Sequence, residues 1–166
     1  MKIKSKVLII AGSESSGGAG IQADIKTVTA LGSYAMTALT AVTCQNTKGV
    51  QAISAIPIKY LDKQIKMVLD DIGTNAIKIG MLHNNRVIKC VHKILKNRKI
   101  KNIILDPVMI AKGGSRLVNK NSVTYLKKLL LPLCSVITPN IPEAEVLTGY
   151  SIANKEDMIK AGKKIN

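Results

Sequence analysis

Short aliphatic runs alternate with stripes of helical period through this 166-residue chain, and that alternation constrains the fold more than any other feature. Val7, Leu8, Ile9, Ile10 and Ala11 make an unbroken run of the kind found in strands buried on both faces. After a glycine-rich loop, Ile21, Ile25, Val28 and Leu31 recur at helical spacing, and Gly32 supplies a stop. Residues 35–43 read as a second strand, and 50–56 as a small accessory strand after a turn at Gly49. Pro57 opens a helix with the stripe Ile58, Leu61, Ile65, Val68 and Ile72, closed by Gly73. Residues 76–79 predict a strand, Val87, Ile88, Val91, Ile94 and Leu95 a helix, and 103–105 another strand. A helix over 122–131 ends at Pro132, and 135–137 supply a fifth core strand. Asn154, with Asp157 three residues later, starts a last helix bearing Met158 and Ile165. Repeated strand–helix–strand units predict an α/β domain, a mainly parallel central sheet with helices on both faces.

Without Phe or Trp the core has to be aliphatic, and 46% hydrophobic against 21% charged residues is a globular balance. The net charge of +15 raises the question of a polyanion partner. Of the 25 basic residues only three are Arg, so the guanidinium forks and aromatic platforms of nucleic-acid readers are nearly missing. Lys59, Lys63 and Lys66, like Lys89, Lys93 and Lys96, fall where helices face water. A lysine-rich solvated surface is expected, with no nucleic-acid partner, although a field of this sign draws small anions such as phosphates. Cys44, Cys90 and Cys134 are odd in number and form no CxxC, which fits free thiols in a reducing compartment. The uncharged stretch 27–47 is broken by Gly32 and Ser33 and studded with Thr, Gln and Asn, so no membrane span is expected. The first apolar run is too short for a signal peptide, and a cytoplasmic chain is expected. The sequence stops inside a helix pattern with no strand to complete the crossover, which reads as an incomplete domain.

Ligands of open α/β sheets bind beyond the carboxyl ends of the strands. Polar or glycine-rich residues follow each predicted core strand here. Gly12 leads into the loop that ends at Gly20, with Asp24 on the helix behind it; Gln45, Asn46 and Thr47 follow the second strand. Gly80 and Met81 follow the next strand, then come Asp106, Pro107, Val108 and Met109, and finally Thr138, Pro139 and Asn140 with Glu143 beyond. Residues 18–23 fit the dinucleotide pattern GxGxx(G/A), yet no acid lies between Asp24 and Asp62 to hold a ribose, and no Walker lysine is present. The loop therefore either makes a tight turn against its helix or lets its backbone approach a small molecule. The Gln45 amide offers a donor and an acceptor, suited to the edge of a planar heterocycle or to ordinary turn bonding. Asp106 stands at a strand end, fit to act near a metal or phosphate or to cap a helix. Asn140 and Glu143, three apart at a helix start, suit either water-mediated Mg²⁺ ligation or capping. His83 and His92 have no partners at ligand spacing and are expected in surface or packing roles.

Five segments in this order resemble the hydroxymethylpyrimidine and phosphomethylpyrimidine kinases of thiamine biosynthesis, in the ribokinase-like superfamily. They are residues 16–24, residues 38–41 with 45–50, Lys78 to Leu82, Leu105 to Met109, and Ile137 to Ala144. The resemblance covers nearly the whole chain, which would be the N-terminal portion (1–166) of one kinase domain. It implies phosphoryl transfer from ATP, with Mg²⁺, to a pyrimidine hydroxymethyl group and then to its monophosphate. Gly12, Asp24, Gln45, Met81 and Val108 would line the pyrimidine pocket. Asp106, Asn140 and Glu143 would lie on the nucleotide side, with Asp106 and Glu143 toward the metal, and a homodimer is compatible with it. Two departures stand out. The family carries Ser/Thr-Asp after the glycine, where this chain has Ser13 and Glu14. Its later Gly-Thr-Gly motif, which forms the anion hole and presents the catalytic residue, does not occur in these 166 residues. A pyridoxine or pyridoxal kinase shares the architecture, but Gln45 and Met81 in their motifs favour the pyrimidine. A non-catalytic remnant that binds a ligand is the competing reading from another class.

Overall fold

The computed structural model describes residues 3–109 and 120–165. Six strands form one sheet: β1 (Lys6–Glu14), β2 (Tyr34–Asn46), β3 (Gly49–Ala55), β4 (Ala76–Ile79), β5 (Asn102–Leu105) and β6 (Val136–Ile137). Their order across the sheet is β3-β2-β1-β4-β5-β6, and every pairing is parallel except the β2–β3 hairpin. The helices are α1 (Gly20–Ala30), α2 (Ile58–Met67), α3 (Asn85–Leu95), α4 (Lys120–Tyr125), α5 (Ile141–Thr148) and α6 (Lys155–Ile165). The α/β architecture expected from the alternation is the one observed.

β1 explains the layout. Leu8 and Ile10 point to one face and Ile9 and Ala11 to the other, and all four are at most 1% exposed. Leu8 and Ile10 join the main core with Leu61 and Ile65 of α2 and the whole apolar stripe of α3. Ile9 and Ala11 pack instead with Ile21 and Val28 of α1. α1 follows β1 and leads to β2 on one side, whereas β4 and β5 lie on the other side of β1. Helices α2 and α3 therefore occupy the face opposite α1, as right-handed crossovers require. The strand order reverses at β1 and β4, and the crevice at such a reversal is where open α/β sheets take ligands.

Local signals fix the element ends. Asn84 caps α3 by accepting from the backbone N–H groups of Arg86 and Val87 at 3.0 and 3.1 Å. Asn46 Oδ1 accepts from the N–H groups of Lys48 and Gly49, closing the hairpin turn. Asn154 caps α6 through the N–H of Asp157, as the sequence spacing predicts. α2 runs on through Val68–Ile72 in a wider turn that ends when the Gly73 N–H donates to the Val68 carbonyl.

Three expectations are revised. β1 does not stop at Ala11 but continues to Glu14, because β2 stays paired beside it through a bulge between Ala11 and Ser13. The glycine-rich loop is correspondingly shorter, and Gln45 lies within β2 rather than after it. In α1, Ile25 and Leu31 are 36% and 65% exposed, since the helix covers only β1 and β2 and its stripe is wider than that contact. The two-residue β6 is an edge strand with Val136 half exposed, not a strand buried on both faces. Among the described residues no helix is long and apolar enough to cross a membrane.

Gly20 sets the approach of α1 to the end of β1. Its φ is +56°, and a β-carbon there would sit 2.4 Å from the Gly12 carbonyl oxygen, which is backbone and cannot swing aside. Gly162, within α6, has nothing within 4 Å of the same position. Gly20→Ala is expected to lower stability by about 1–3 kcal/mol, whereas Gly162→Ala raises it by roughly 0.5–1 kcal/mol. Urea midpoints of the two variants, moving in opposite directions, check both.

Candidate functional site

The rim at the carboxyl ends of the strands is stitched together by backbone hydrogen bonds between successive loops. The Gly80 N–H donates to the Ile10 carbonyl at 2.9 Å, that of Asp106 to Ile79 at 2.8 Å, and that of Thr138 to Leu105 at 3.0 Å. Gly12, Gly80, Asp106 and Asn140 thus stand on neighbouring parallel strands or just beyond them, at one end of the sheet. Gln45 is at the same end, near the tip of the hairpin.

Three of the five residues expected in a pyrimidine pocket meet directly. Met81 and Val108 form a small apolar cluster with Ala41 and Ile53, separate from the main core. A β-carbon on Gly12 would lie 2.5 Å from the Met81 methyl and 3.7 Å from the Ala41 carbonyl, so Gly12 is the gap that lets Met81 lie against the end of β1. Thr40, fully buried, donates its hydroxyl to the Met81 carbonyl at 2.7 Å and fixes the loop that carries it. Gln45 flanks this wall. Its backbone N–H and carbonyl are both latched by the Ser15 hydroxyl, at 3.1 and 2.7 Å, while its side-chain amide makes no hydrogen bond among the described residues.

Asp24, the fifth, is held elsewhere. Its carboxylate receives Lys78 Nζ at 2.8 Å, and the same ammonium lies 3.4 Å from Asp106 Oδ2. The structure therefore groups Asp24 with Asp106, expected on the nucleotide side, through a lysine on the α1 face of the sheet. Lys78 was not among the candidates, although one signal pointed to it. A charge in the middle of the four-residue strand Ala76–Ile79, whose neighbours Ile77 and Ile79 are fully buried, requires an anionic partner on the opposite face.

Asn140 and Glu143 form the capping box of α5. Asn140 Oδ1 accepts from the Glu143 N–H at 2.9 Å, and Glu143 Oε2 accepts from the Asn140 N–H at 3.0 Å. The other carboxylate oxygen of Glu143 accepts from the Met109 N–H at 3.3 Å. This buried side chain thereby ties the β5 loop to the turn after β6. Of the acidic residues expected on the nucleotide side, Asp106 keeps an accessible carboxylate, about a third exposed.

Glu14 settles how the glycine-rich loop is built. The residue is 4% exposed, and its carboxylate accepts from the Ser16 N–H (2.9 Å) and hydroxyl (2.6 Å), the Gly18 N–H (2.8 Å) and the Ala19 N–H (3.1 Å). The longer side chain folds back into the nest of donors in front of α1, where it also faces the positive end of the helix dipole. Those donors are consequently engaged within the chain rather than turned toward a phosphate. Burial pulls the Glu14 carboxyl upward, but the hydrogen bonds from Ser16, Gly18 and Ala19 outweigh it and hold the group below its ordinary value of 4.5. The thiols of Cys90 and Cys134 are pushed up by burial, Cys134 to about 11, so both stay protonated and unreactive near neutral pH.

Comparison with known proteins identifies relatives of the chain and of its fold. A family model described as phosphomethylpyrimidine kinase matches residues 14–166. The hydroxymethylpyrimidine/phosphomethylpyrimidine kinase of Haemophilus influenzae is 49% identical over 160 residues, covering 96% of this chain and 60% of that protein. The crystal structure of a phosphomethylpyrimidine kinase from Clostridium difficile 630 superposes with a TM-score of 0.91 at 48% identity, covering 99% of this chain and 70% of that one. A Staphylococcus aureus pyridoxal kinase in complex with AMP-PCP and pyridoxal gives a TM-score of 0.86 at 36% identity, over 99% of this chain and 59% of that one. The chain spans less than two thirds of the length of the curated relatives it matches.

A lowered folded-state pKa means that Glu14 adds stability above its unfolded value of about 4.5 and loses it as pH falls through the lower folded value. Glu14→Gln is expected to cost about 1–3 kcal/mol at pH 7, the range for charged hydrogen bonds to a buried acceptor. Its deficit against the native chain should shrink below pH 4.5. Denaturation midpoints at pH 7 and pH 4 check the sign.

Proposed function

Because the chain belongs to the phosphomethylpyrimidine kinase family, we propose that the protein transfers the γ-phosphoryl group of ATP to hydroxymethylpyrimidine and to its monophosphate, in thiamine biosynthesis. The observation that carries this reading is the apolar wall of Gly12, Met81 and Val108 beside the charged group of Asp106 and Lys78, at the reversal of the strand order. A flat heteroaromatic ring would pack against such a wall, with the unengaged amide of Gln45 reading its edge. In the first transfer the substrate hydroxyl oxygen forms the new bond to phosphorus, the bond from phosphorus to the ADP oxygen breaks, and the hydroxyl proton passes to solvent; in the second a phosphate oxygen of the monophosphate takes the place of the hydroxyl. For a reaction of this kind the protein contributes position and charge rather than covalent chemistry. The similarity to a pyridoxal kinase in complex with AMP-PCP and pyridoxal supports a nucleotide and a heteroaromatic ring sharing this fold.

Asp106 is the residue we assign to hold Mg²⁺, and Glu143 and Asn140 order the loops on either side of it. The described residues contain no group of three or more His, Cys, Asp or Glu side chains able to enclose a cation. That fits an ion which keeps several waters and phosphate oxygens instead of an all-protein cage. Held there, Mg²⁺ would neutralise part of the phosphate charge.

Calorimetric titration with hydroxymethylpyrimidine tests the pocket. The native chain is expected to bind it, and Gln45→Ala to bind about tenfold more weakly, the loss of one ring-edge hydrogen bond of about 1.4 kcal/mol. Unchanged affinity in the variant removes Gln45 from the pocket, and no binding by the native chain refutes the substrate assignment. Mass-spectrometric detection of hydroxymethylpyrimidine phosphate after incubation with ATP and Mg²⁺ tests the transfer: these 166 residues, without the Gly-Thr-Gly anion-hole segment, are expected to give little or no product, and robust turnover by them overturns that expectation.

A further inference from the structure

Lys78 holds together the charged side of the site, with a role not yet assigned to it. Its ammonium is 2.8 Å from Asp24 Oδ2 and 3.4 Å from Asp106 Oδ2, and the three side chains are 25%, 22% and 34% exposed. Gly80 keeps the space open, because a β-carbon there would come within 3.2 Å of Lys78 Nζ and 3.0 Å of the Ala11 β-carbon. Neither carboxylate has another ion-pair partner among the described residues. Two carboxylates this close would otherwise make an attractive pair of oxygen ligands for a divalent cation. The lysine occupies the position between them and cuts the formal charge of the group from −2 to −1, which weakens its hold on a bare dication.

We propose that Lys78 is a positioning residue that makes metal entry depend on the nucleotide: it keeps free divalent cations off the Asp24–Asp106 pair and admits the metal only as its complex with a polyphosphate. The complex brings its own negative oxygens, which the ammonium attracts instead of repelling. The same contact keeps Asp24 from becoming a metal ligand and leaves it to orient Lys78. This inference rests on the kinase reading for the identity of the polyphosphate, but its geometric part does not need the pyrimidine.

Mn²⁺, followed by the paramagnetic resonance signal of the free ion, is titrated into the full chain and into Lys78→Met and Lys78→Arg, with and without ADP. Native and Lys78→Arg chains are expected to take up little Mn²⁺ alone and more with ADP. Lys78→Met should bind Mn²⁺ alone at least about tenfold more tightly than the native chain, the scale of one charge in a partly exposed site. Asp106→Asn added to Lys78→Met should abolish that gain. A purely structural lysine would alter stability without raising metal affinity. Equal Mn²⁺ affinity in native and Lys78→Met chains overturns the proposal, as does a gain that survives Asp106→Asn. If Lys78→Met does not fold, Lys78→Gln takes its place, and failure of both to fold assigns Lys78 a structural role and also overturns it. Absent pyrimidine binding alongside the expected Mn²⁺ results refutes the substrate reading and leaves this one standing.

Discussion

The placement of β1 between β2 and β4 is the constraint on which the rest of the structure depends. Its residues are buried on both faces, so helices have to cover both, and the chain can reach its two neighbours only by crossing over on opposite sides. The two crossovers separate at the end of β1, and that separation makes the crevice. Everything assigned to the site then follows from short distances along neighbouring strands. Gly12 ends the aliphatic part of β1, Gly20 lets α1 start within contact of the Gly12 carbonyl, and Gly80 follows β4 beside Ala11.

Charge is organised at two scales that oppose each other. The surface as a whole carries +15, mostly lysine on solvated helix faces, and would draw a polyphosphate from a distance. Within the crevice the balance is different. Glu14 neutralises the donors in front of α1, and Asp24 and Asp106 share the single ammonium of Lys78. The long-range field therefore attracts anions without discrimination, and the local arrangement decides where one can rest. Lysine rather than arginine at position 78 suits this, because a compact ammonium can be shared between two carboxylates without the fixed fork of a guanidinium.

Much of the fold was legible in the sequence because a buried parallel strand and an amphipathic helix differ in period. All five apolar residues predicted for α3 are buried, and β4 has the bounds the run 76–79 implied. The stripe of α1 predicted the helix, yet Ile25 and Leu31 on it are exposed, since period gives the direction of a face and not the width of what covers it. β1 and β2 ran further than expected because pairing continues past the aliphatic residues wherever a partner strand is alongside. For the site, Gly12, Met81 and Val108 lie together at the end of β1. Asp24 pairs instead with Lys78, a cation on a strand, and no local pattern marked that pairing.

Order of elements, helix starts and the rim to which the chemistry is assigned were determined by the sequence alone, since each depends on residues within a few positions of one another. Asn84 beside Val87, Asn140 beside Glu143 and Gly73 after Ile72 act over one turn of chain. Which side chains share a charge was decided only by the tertiary structure. Lys78 meets Asp24 across 54 positions and Asp106 across 28, and Glu143 reaches Met109 across 34. Contacts of that separation arise from sheet order and crossover side, which no local pattern records.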